Sequence, residues 1–184
     1  MNYTEPIYSI LSRGGFISSN SLNADIKRYY DAIEADEDSY YEYYRGIGYY
    51  LEKGNGFYFF VRKEPKVELQ RKLDMAERWI DYLAFLKTFR SSFCSGLTFR
   101  KAEILTQISA DMELKEMAPK LFPNNKLSHE DVVDKLLSEL ERMGVVELEN
   151  ELEGSYKVLS AFGYIEDLVD CITISEEVQD ELPE

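Results

Sequence analysis

The chain has 184 residues, of which 45% are hydrophobic and 14% aromatic, so it can bury a core and wholesale disorder is excluded. The formal net charge of −14 is unevenly distributed, with −3 on residues 1–64, +2 on residues 65–120 and −13 on residues 121–184. The last third therefore repels nucleic-acid phosphate, and only the middle third has a charge suited to meeting it.

Cysteine content and hydropathy bear on the compartment. Cys94 and Cys171 are too few for a disulfide framework, and we expect them to be buried free thiols in a reducing cytosol. Residues 1–20 lack the basic start and apolar run of a secretory signal. The most apolar predicted helix, residues 79–93, is too short and too charged to span a bilayer. We expect a soluble, cytoplasmic protein that is not bound to a membrane.

The first 64 residues predict the order helix, strand, helix, helix, hairpin. The predicted elements are a helix over 4–11 capped by Thr4, an extended piece at 16–18, a helix capped by Ser21 that runs to about residue 33, an acidic turn at 34–38, a helix over 39–46, and strands at 49–51 and 57–61. Asn55-Gly56 between the two strands is the strongest short signal for a hairpin. Pro65 marks a domain boundary.

Residues 65–184 predict a similar order after a long leading helix. The predicted elements are helices over 67–92, 100–110, up to residue 118, and 128–143, with strands at 97–99, 145–149 and 156–159. Ser128 and Asp131 fit a variant of the capping box, and Gly144 is the predicted C-cap. The apolar segment 164–174 is expected to pack on this second unit, and the last ten residues form an acidic, solvated tail.

Twice, therefore, a helix leads into a short strand, a turn containing glycine and a second strand, at residues 40–62 and 128–160. A helix followed by a two-stranded wing is the closing half of a winged-helix domain. The predicted fold is α+β and mostly helical, with tandem winged-helix domains and short β-hairpin wings. The predicted domains are residues 1–64 and residues 65–184, the second with its long leading helix and acidic C-terminal tail. The alternative is a single irregular α+β domain.

Signatures of catalysis are absent from the sequence. It has no phosphate-binding GxxxxGK[ST], no GxGxxG and no HExxH. His129, the only histidine, falls in the first turn of a predicted helix, where a surface role is expected. The acidic run 36–38 has ligand types for a hard cation, but a charged turn is the commoner explanation. We predict that the protein is not an enzyme and has no cofactor and no metal site.

Aromatic residues are concentrated in the first domain, with ten between residues 40 and 60. Side chains alternate between the two faces of a strand, so that either Tyr49, Leu51, Phe57 and Phe59 face the core while Tyr50, Tyr58 and Phe60 face outward, or the reverse. Aromatic side chains left outside are typical anchors of protein interfaces. Alternatively, the long helix of the second domain covers them. The predicted protein-binding residues are Tyr44, Tyr49, Tyr50, Phe57, Tyr58 and Phe60.

DNA recognition is the competing use of this fold. A helix that enters the major groove normally carries basic or amide side chains, whereas the helices predicted at 39–46 and 128–143 are acidic. Selective DNA binding by these helices is therefore disfavoured. A weaker contact with phosphate is predicted near the domain junction, unless the basic side chains there are only solvated. The candidate residues are Arg62, Lys63, Lys66, Arg71 and Lys72.

Several stretches resemble a known family. They are ILSRGGFISSNS at residues 10–21, the acidic and aromatic helix that follows, YYLEKGNGFYFFVR at 49–62, and SAFGYIEDLVDCITI at 160–174. They are similar to the MukE/MksE group of bacterial condensin subunits, which are kleisin-interacting tandem winged-helix proteins. The likeness extends over most of the chain. This chain is more compact than MukE, which fits the MksE branch of the group better.

The resemblance implies a non-enzymatic subunit that forms a homodimer and binds a kleisin of the MukF/MksF type. Through the kleisin it would join an SMC-like ATPase that organises or segregates DNA at the nucleoid, or acts against plasmids. It also implies that DNA could be touched within the assembled complex. The alternatives are a winged-helix transcription regulator and an adaptor with no kleisin partner.

Overall fold

The computed structural model describes the backbone of residues 1–62 and 66–180 and the side chains of residues 1–62 and 75–171. We refer to residues 1–62 as the first half and to residues 66–180 as the second half. The first half contains α1 (Thr4–Leu11), β1 (Ile17–Ser18), α2 (Ala24–Ala35), α3 (Glu37–Arg45), β2 (Tyr50–Gly54) and β3 (Phe57–Val61). The second half contains α4 (Lys66–Phe89), β4 (Thr98–Arg100), α5 (Lys101–Ala110), α6 (Met112–Met117), the 3₁₀ helix η1 (Ala118–Leu121), α7 (His129–Met143), β5 (Val146–Asn150), β6 (Ser155–Val158) and α8 (Phe162–Asp180). The predicted α+β class is confirmed.

Each half has a three-stranded antiparallel sheet. In the first, the strand order is β1-β3-β2. Gly54 pairs with Phe57, so that the hairpin turns at Asn55 and Gly56 as predicted, and Gly56 has a φ of 79°. In the second sheet, the order is β4-β6-β5, with Val146 paired with Val158 and a shift of register after Leu148. The third strand of each half thus lies between the other two.

Two predicted helix caps differ from the structure. The N-cap of α2 is Asn23, whose side chain accepts hydrogen bonds from the amides of Asp25 and Ile26. Ser21 is fully buried and donates instead to Glu147 Oε1 at 2.6 Å. The prediction that Thr4 caps α1 is also wrong. Thr4 is the first residue of the helix, and the N-cap residue, Tyr3, makes no capping hydrogen bond with its side chain.

The caps of α7 follow the prediction. The amide of Asp131 donates to Ser128 Oγ at 3.2 Å, and the amide of Ser128 donates to Asp131 Oδ2 at 3.2 Å. The hydroxyl of Ser128 also donates to Asp131 Oδ2 at 2.5 Å, and this hydrogen bond, followed by the one from the Ser128 amide, holds the pKa of Asp131 below its ordinary value. Gly144 ends the helix with a φ of 74°.

The buried apolar side chains form two clusters. The smaller one lies in the first half, and its fully buried members are Ile7, Leu11, Ile17, Ile33, Tyr40, Tyr44, Leu51 and Tyr58. The larger one lies in the second half, except that Phe57 of β3 also belongs to it. Helix α8 packs on this cluster through Ile165, as predicted for the segment after residue 164. An ion pair also joins α4 to α8, with Lys87 Nζ 2.6 Å from Glu166 Oε1.

The cysteines are not buried. Cys94 and Cys171 are both exposed, so the predicted burial is wrong. Within the two described ranges, none of the helices combines the length and the apolar character that crossing a membrane requires.

Candidate protein-interaction surface

The aromatic hairpin β2–β3 is covered on both faces. Phe57 is 1% exposed and packs with Phe16, at 5.7 Å between ring centroids. Phe59, on the same face, lies 5.0 Å from Tyr164 of α8, and Trp79 of α4 contacts Tyr164 at 6.1 Å. The alternative expected from the sequence was cover by the long helix of the second domain; the contact with the hairpin comes from α8, against which α4 packs through Trp79.

The opposite face of β3 packs on the core of the first half. Tyr58 is 1% exposed and Phe60 lies 4.8 Å from the ring of Tyr44. Tyr44 is fully buried and donates its hydroxyl hydrogen to the carbonyl of Thr4 at 2.8 Å. Because burial disfavours the phenolate, the pKa of Tyr44 is raised above its ordinary value.

These contacts change the set of residues available to a partner. Tyr44, Phe57 and Tyr58 are core residues, so the expectation that one face of the hairpin stays outside is wrong. The physical reason is that the sheet lies between two hydrophobic clusters instead of covering one. The predicted grouping of the two strands is also wrong, because Leu51 pairs with Phe60 and Tyr50 pairs with Val61, which puts Tyr50 on the face of Phe57. Tyr50 keeps 37% of its surface and Val61 keeps 42%.

The remaining predicted residues pack against the smaller cluster, in the first half. Tyr49 and Phe60 are half-buried, and their rings lie 5.1 Å apart. The hydroxyl of Tyr8 donates to that of Tyr49 at 3.3 Å. This hydrogen bond, and to a smaller extent the Arg62 guanidinium, lower the pKa of Tyr49. Arg62, a predicted phosphate contact, therefore already engages a tyrosine.

The other predicted phosphate contacts cannot be placed in the same way. Lys63 lies outside the described residues, as do the side chains of Lys66, Arg71 and Lys72 at the start of α4. The structure thus brings together no described cluster of basic side chains at this junction.

An ion-pair network links the end of α2 to the start of α3, where only Asp36 of the predicted acidic turn 34–38 lies outside a helix. Lys53 Nζ lies 2.6 Å from Glu34 Oε1 and 2.8 Å from Glu37 Oε2, and the Tyr58 hydroxyl donates to Glu37 at 2.9 Å. The hydrogen bond from Lys53, followed by that from Tyr58, lowers the pKa of Glu37. Across the described chain, no three His, Cys, Asp or Glu side chains come together in a group that could hold a metal ion.

A polar junction joins the two halves. The side-chain amide of Asn20 donates to the carbonyl of Val158 at 3.1 Å, and its oxygen accepts from the amide of Ser160 at 2.7 Å. Buried Ser18 accepts from the amide of Ala161 at 3.3 Å. Sequence reading missed this junction, although the run of four polar residues at 18–21 followed by an apolar one was a visible signal.

An open groove of about 420 Å³ lies beside this junction. Its lining comes from the loop before α2, the last turns of α7 and strand β5: Leu22, Asn23, Glu141, Val146, Glu147 and Leu148. Leu22 is 38% exposed and Leu148 is 41% exposed, one from each half of the chain. Nothing in the local sequence pattern pairs these two leucines, so the groove was not predicted.

Helix α7 presents an acidic face to solvent. Its apolar stripe is buried, including Val133, Leu136 and Leu140. On the exposed side, Glu130 and Asp134 both pair with Lys101, at 3.2 and 2.7 Å. One lysine cannot neutralise two carboxylates, so this face remains unfavourable for phosphate.

The sequence matches the family described as condensin complex protein MksE over residues 2–169. The match spans both sheets, the polar junction and the groove, and it confirms the resemblance to MksE. No curated protein matches the chain significantly.

Proposed function

Because the chain belongs to the MksE family of condensin complex proteins, we propose that it is a non-enzymatic accessory subunit that binds the kleisin of its complex. Through the kleisin it joins an SMC-like ATPase at the nucleoid, where it takes part in chromosome organisation and segregation or in plasmid defence. The observation that carries this proposal is the family match over residues 2–169.

We also propose that the two halves are winged-helix domains, with boundaries at residues 1–64 and 65–184. The repeated element order supports this, since each half has a strand, two or more helices and then a hairpin. So does the repeated strand order, β1-β3-β2 and β4-β6-β5. Helices α3 and α7 take the position before the wing.

Charge favours a protein partner over the major groove of DNA. The exposed side of α7 is acidic, and on α3 the single pair Arg45–Glu42 leaves no excess of positive charge. Each carboxylate held near phosphate opposes DNA binding. A contact by Arg62, Lys63, Lys66, Arg71 and Lys72 with DNA remains a proposal for the assembled complex only.

Of the aromatic residues predicted to bind a partner, Tyr50 is the one that we propose as a kleisin anchor, with half-buried Tyr49 and Phe60 supporting it. Large aromatic side chains at the surface are the commonest hot spots of protein interfaces. Tyr50→Ala should weaken the kleisin complex while the fold persists.

Purification of the tagged chain from its own cells, followed by mass spectrometry, tests the function. We expect recovery of a kleisin and of a large coiled-coil ATPase, and light scattering of the purified chain should give the mass of a homodimer. If neither protein is recovered, and the isolated chain instead selects a duplex sequence from a random library, the transcription regulator replaces the condensin subunit.

A further inference from the structure

We propose that the groove at the junction of the two halves binds an extended, basic segment of the kleisin with one or two apolar side chains. This inference rests on the proposed function, because it assigns a surface and a chemistry to the partner named there. Four properties support it: the exposed leucines, their fixed position, the acidic lining and the open strand edge.

The apolar part of the groove is held in place before any partner arrives. The backbone amide of Leu22 donates to the carboxylate of Glu147, and the hydroxyl of Ser21 donates to the same carboxylate at 2.6 Å. Leu22 is therefore tied to the strand that carries Leu148. A preorganised pair of apolar side chains binds with a smaller loss of conformational entropy than a flexible one.

The charge of the lining selects the occupant. Glu141 and Glu147 line the groove, and among the described residues neither takes part in an ion pair. They belong to the third of the chain whose net charge is −13. DNA and the acidic C-terminal stretch of the chain are both repelled by this lining. Lysine or arginine beside an apolar residue is the complementary chemistry.

The backbone of the groove favours an extended segment. Strand β5 is at the edge of its sheet within the described residues. The carbonyl of Val145 accepts a hydrogen bond from the amide of Leu159. Along an antiparallel pair of strands, residues that bond to the partner strand alternate with residues whose backbone groups point away from it, so the amides and carbonyls of Val146 and Leu148 point away from β6. An open edge of this kind can add a strand from a partner, with the main chain giving affinity and side chains giving selectivity.

The test uses the full-length chain and the purified full-length kleisin of the same complex, with the Kd measured by titration calorimetry. Leu22→Ala with Leu148→Ala should raise the Kd by about 10- to 100-fold, as expected when two anchors are truncated. The matched control is Leu152→Ala, which removes a leucine that is 99% exposed at the tip of the same hairpin and should leave the Kd unchanged.

A charge reversal provides the second variant. Glu141 is an exposed residue of α7, so Glu141→Lys should leave the fold intact, slow the association with the kleisin and reduce its dependence on salt. Circular dichroism melting of each variant checks the fold.

The outcomes separate the groove from the function. If the kleisin binds the wild type and both variants equally, the groove is not its site, although the proposed function stands. If the wild type fails to bind the kleisin, the proposed function itself fails. If the double leucine variant changes only the mass of the chain in light scattering, a second copy occupies the groove and the inference is wrong.

Discussion

Replacing Phe57 by alanine tests whether this residue is an interface anchor or a core residue. Phe57 lies on the hairpin of the first half, is 1% exposed and belongs to the larger cluster. Its ring contacts Phe16 at 5.7 Å and Phe59 at 5.8 Å. Truncation of a buried phenylalanine costs about 3–5 kcal/mol through lost transfer free energy and the cavity left behind. Native domains have free energies of unfolding of about 5–15 kcal/mol, so Phe57→Ala should remove a large share of the total.

Urea unfolding measures this loss. Circular dichroism reports the helices, and the fluorescence of Trp79, the single tryptophan, reports the contact between α4 and Tyr164 of α8. Because Phe57 joins the hairpin of one half to the core of the other, we expect both signals to shift together to lower urea. The matched control is Tyr50→Ala on the same hairpin face, where an exposed side chain should cost at most about 1 kcal/mol.

If Phe57→Ala lowers the free energy of unfolding by less than about 1 kcal/mol, Phe57 is not a core residue. If Tyr50→Ala costs as much as Phe57→Ala, the two positions are equally buried and Phe57 has no special role in the core. Separate transitions for the two signals would show that Phe57 does not couple the halves.

A methyl group at Gly54 would lie 2.1 Å from the Phe57 ring, so Gly54→Ala should destabilise the fold by about 1–3 kcal/mol. The urea midpoint checks this, and the cost should fall in the background of Phe57→Ala, whereas full additivity would contradict it. Lys53→Met should remove the stabilisation that Lys53 gives to the ionised Glu37. The pKa of Glu37 is lowered in the folded state, so this stabilisation is complete above its ordinary value of 4.5 and is lost as the pH falls through the lower, folded value. The difference in urea midpoint between Lys53→Met and the wild type should therefore be largest at neutral pH and shrink in acid. A difference that stays constant with pH would rule out this role.

Two stretches that carry the family resemblance meet in space. Residues 10–21 include Asn20, and residues 160–174 begin with Ser160. The amide and the hydroxyl of Ser160 both donate hydrogen bonds to Asn20 Oδ1. Their side chains join the two halves of the molecule. Part of the resemblance therefore reflects packing between the halves and not contact with a partner.

The sequence by itself determined the local features of this protein. Asn55-Gly56 specified the hairpin turn, and Ser128 with Asp131 specified the start of α7. Gly144 specified its end. Such features depend on dihedral angles and hydrogen bonds among residues a few positions apart, so they can be read without knowing the rest of the fold.

Only the tertiary structure decided which surfaces are left free. The alternation in β3 correctly divided Phe57 from Tyr58, but both are buried because α8, about one hundred residues later, covers the face that the first core does not. In the same way, Ser21 is buried with its hydroxyl donating to Glu147, more than one hundred residues later, while Asn23 caps α2. Burial depends on what packs against a side chain, and that is set by contacts between residues far apart in the chain. For the same reason, the groove between Leu22 and Leu148 exists only in the folded molecule.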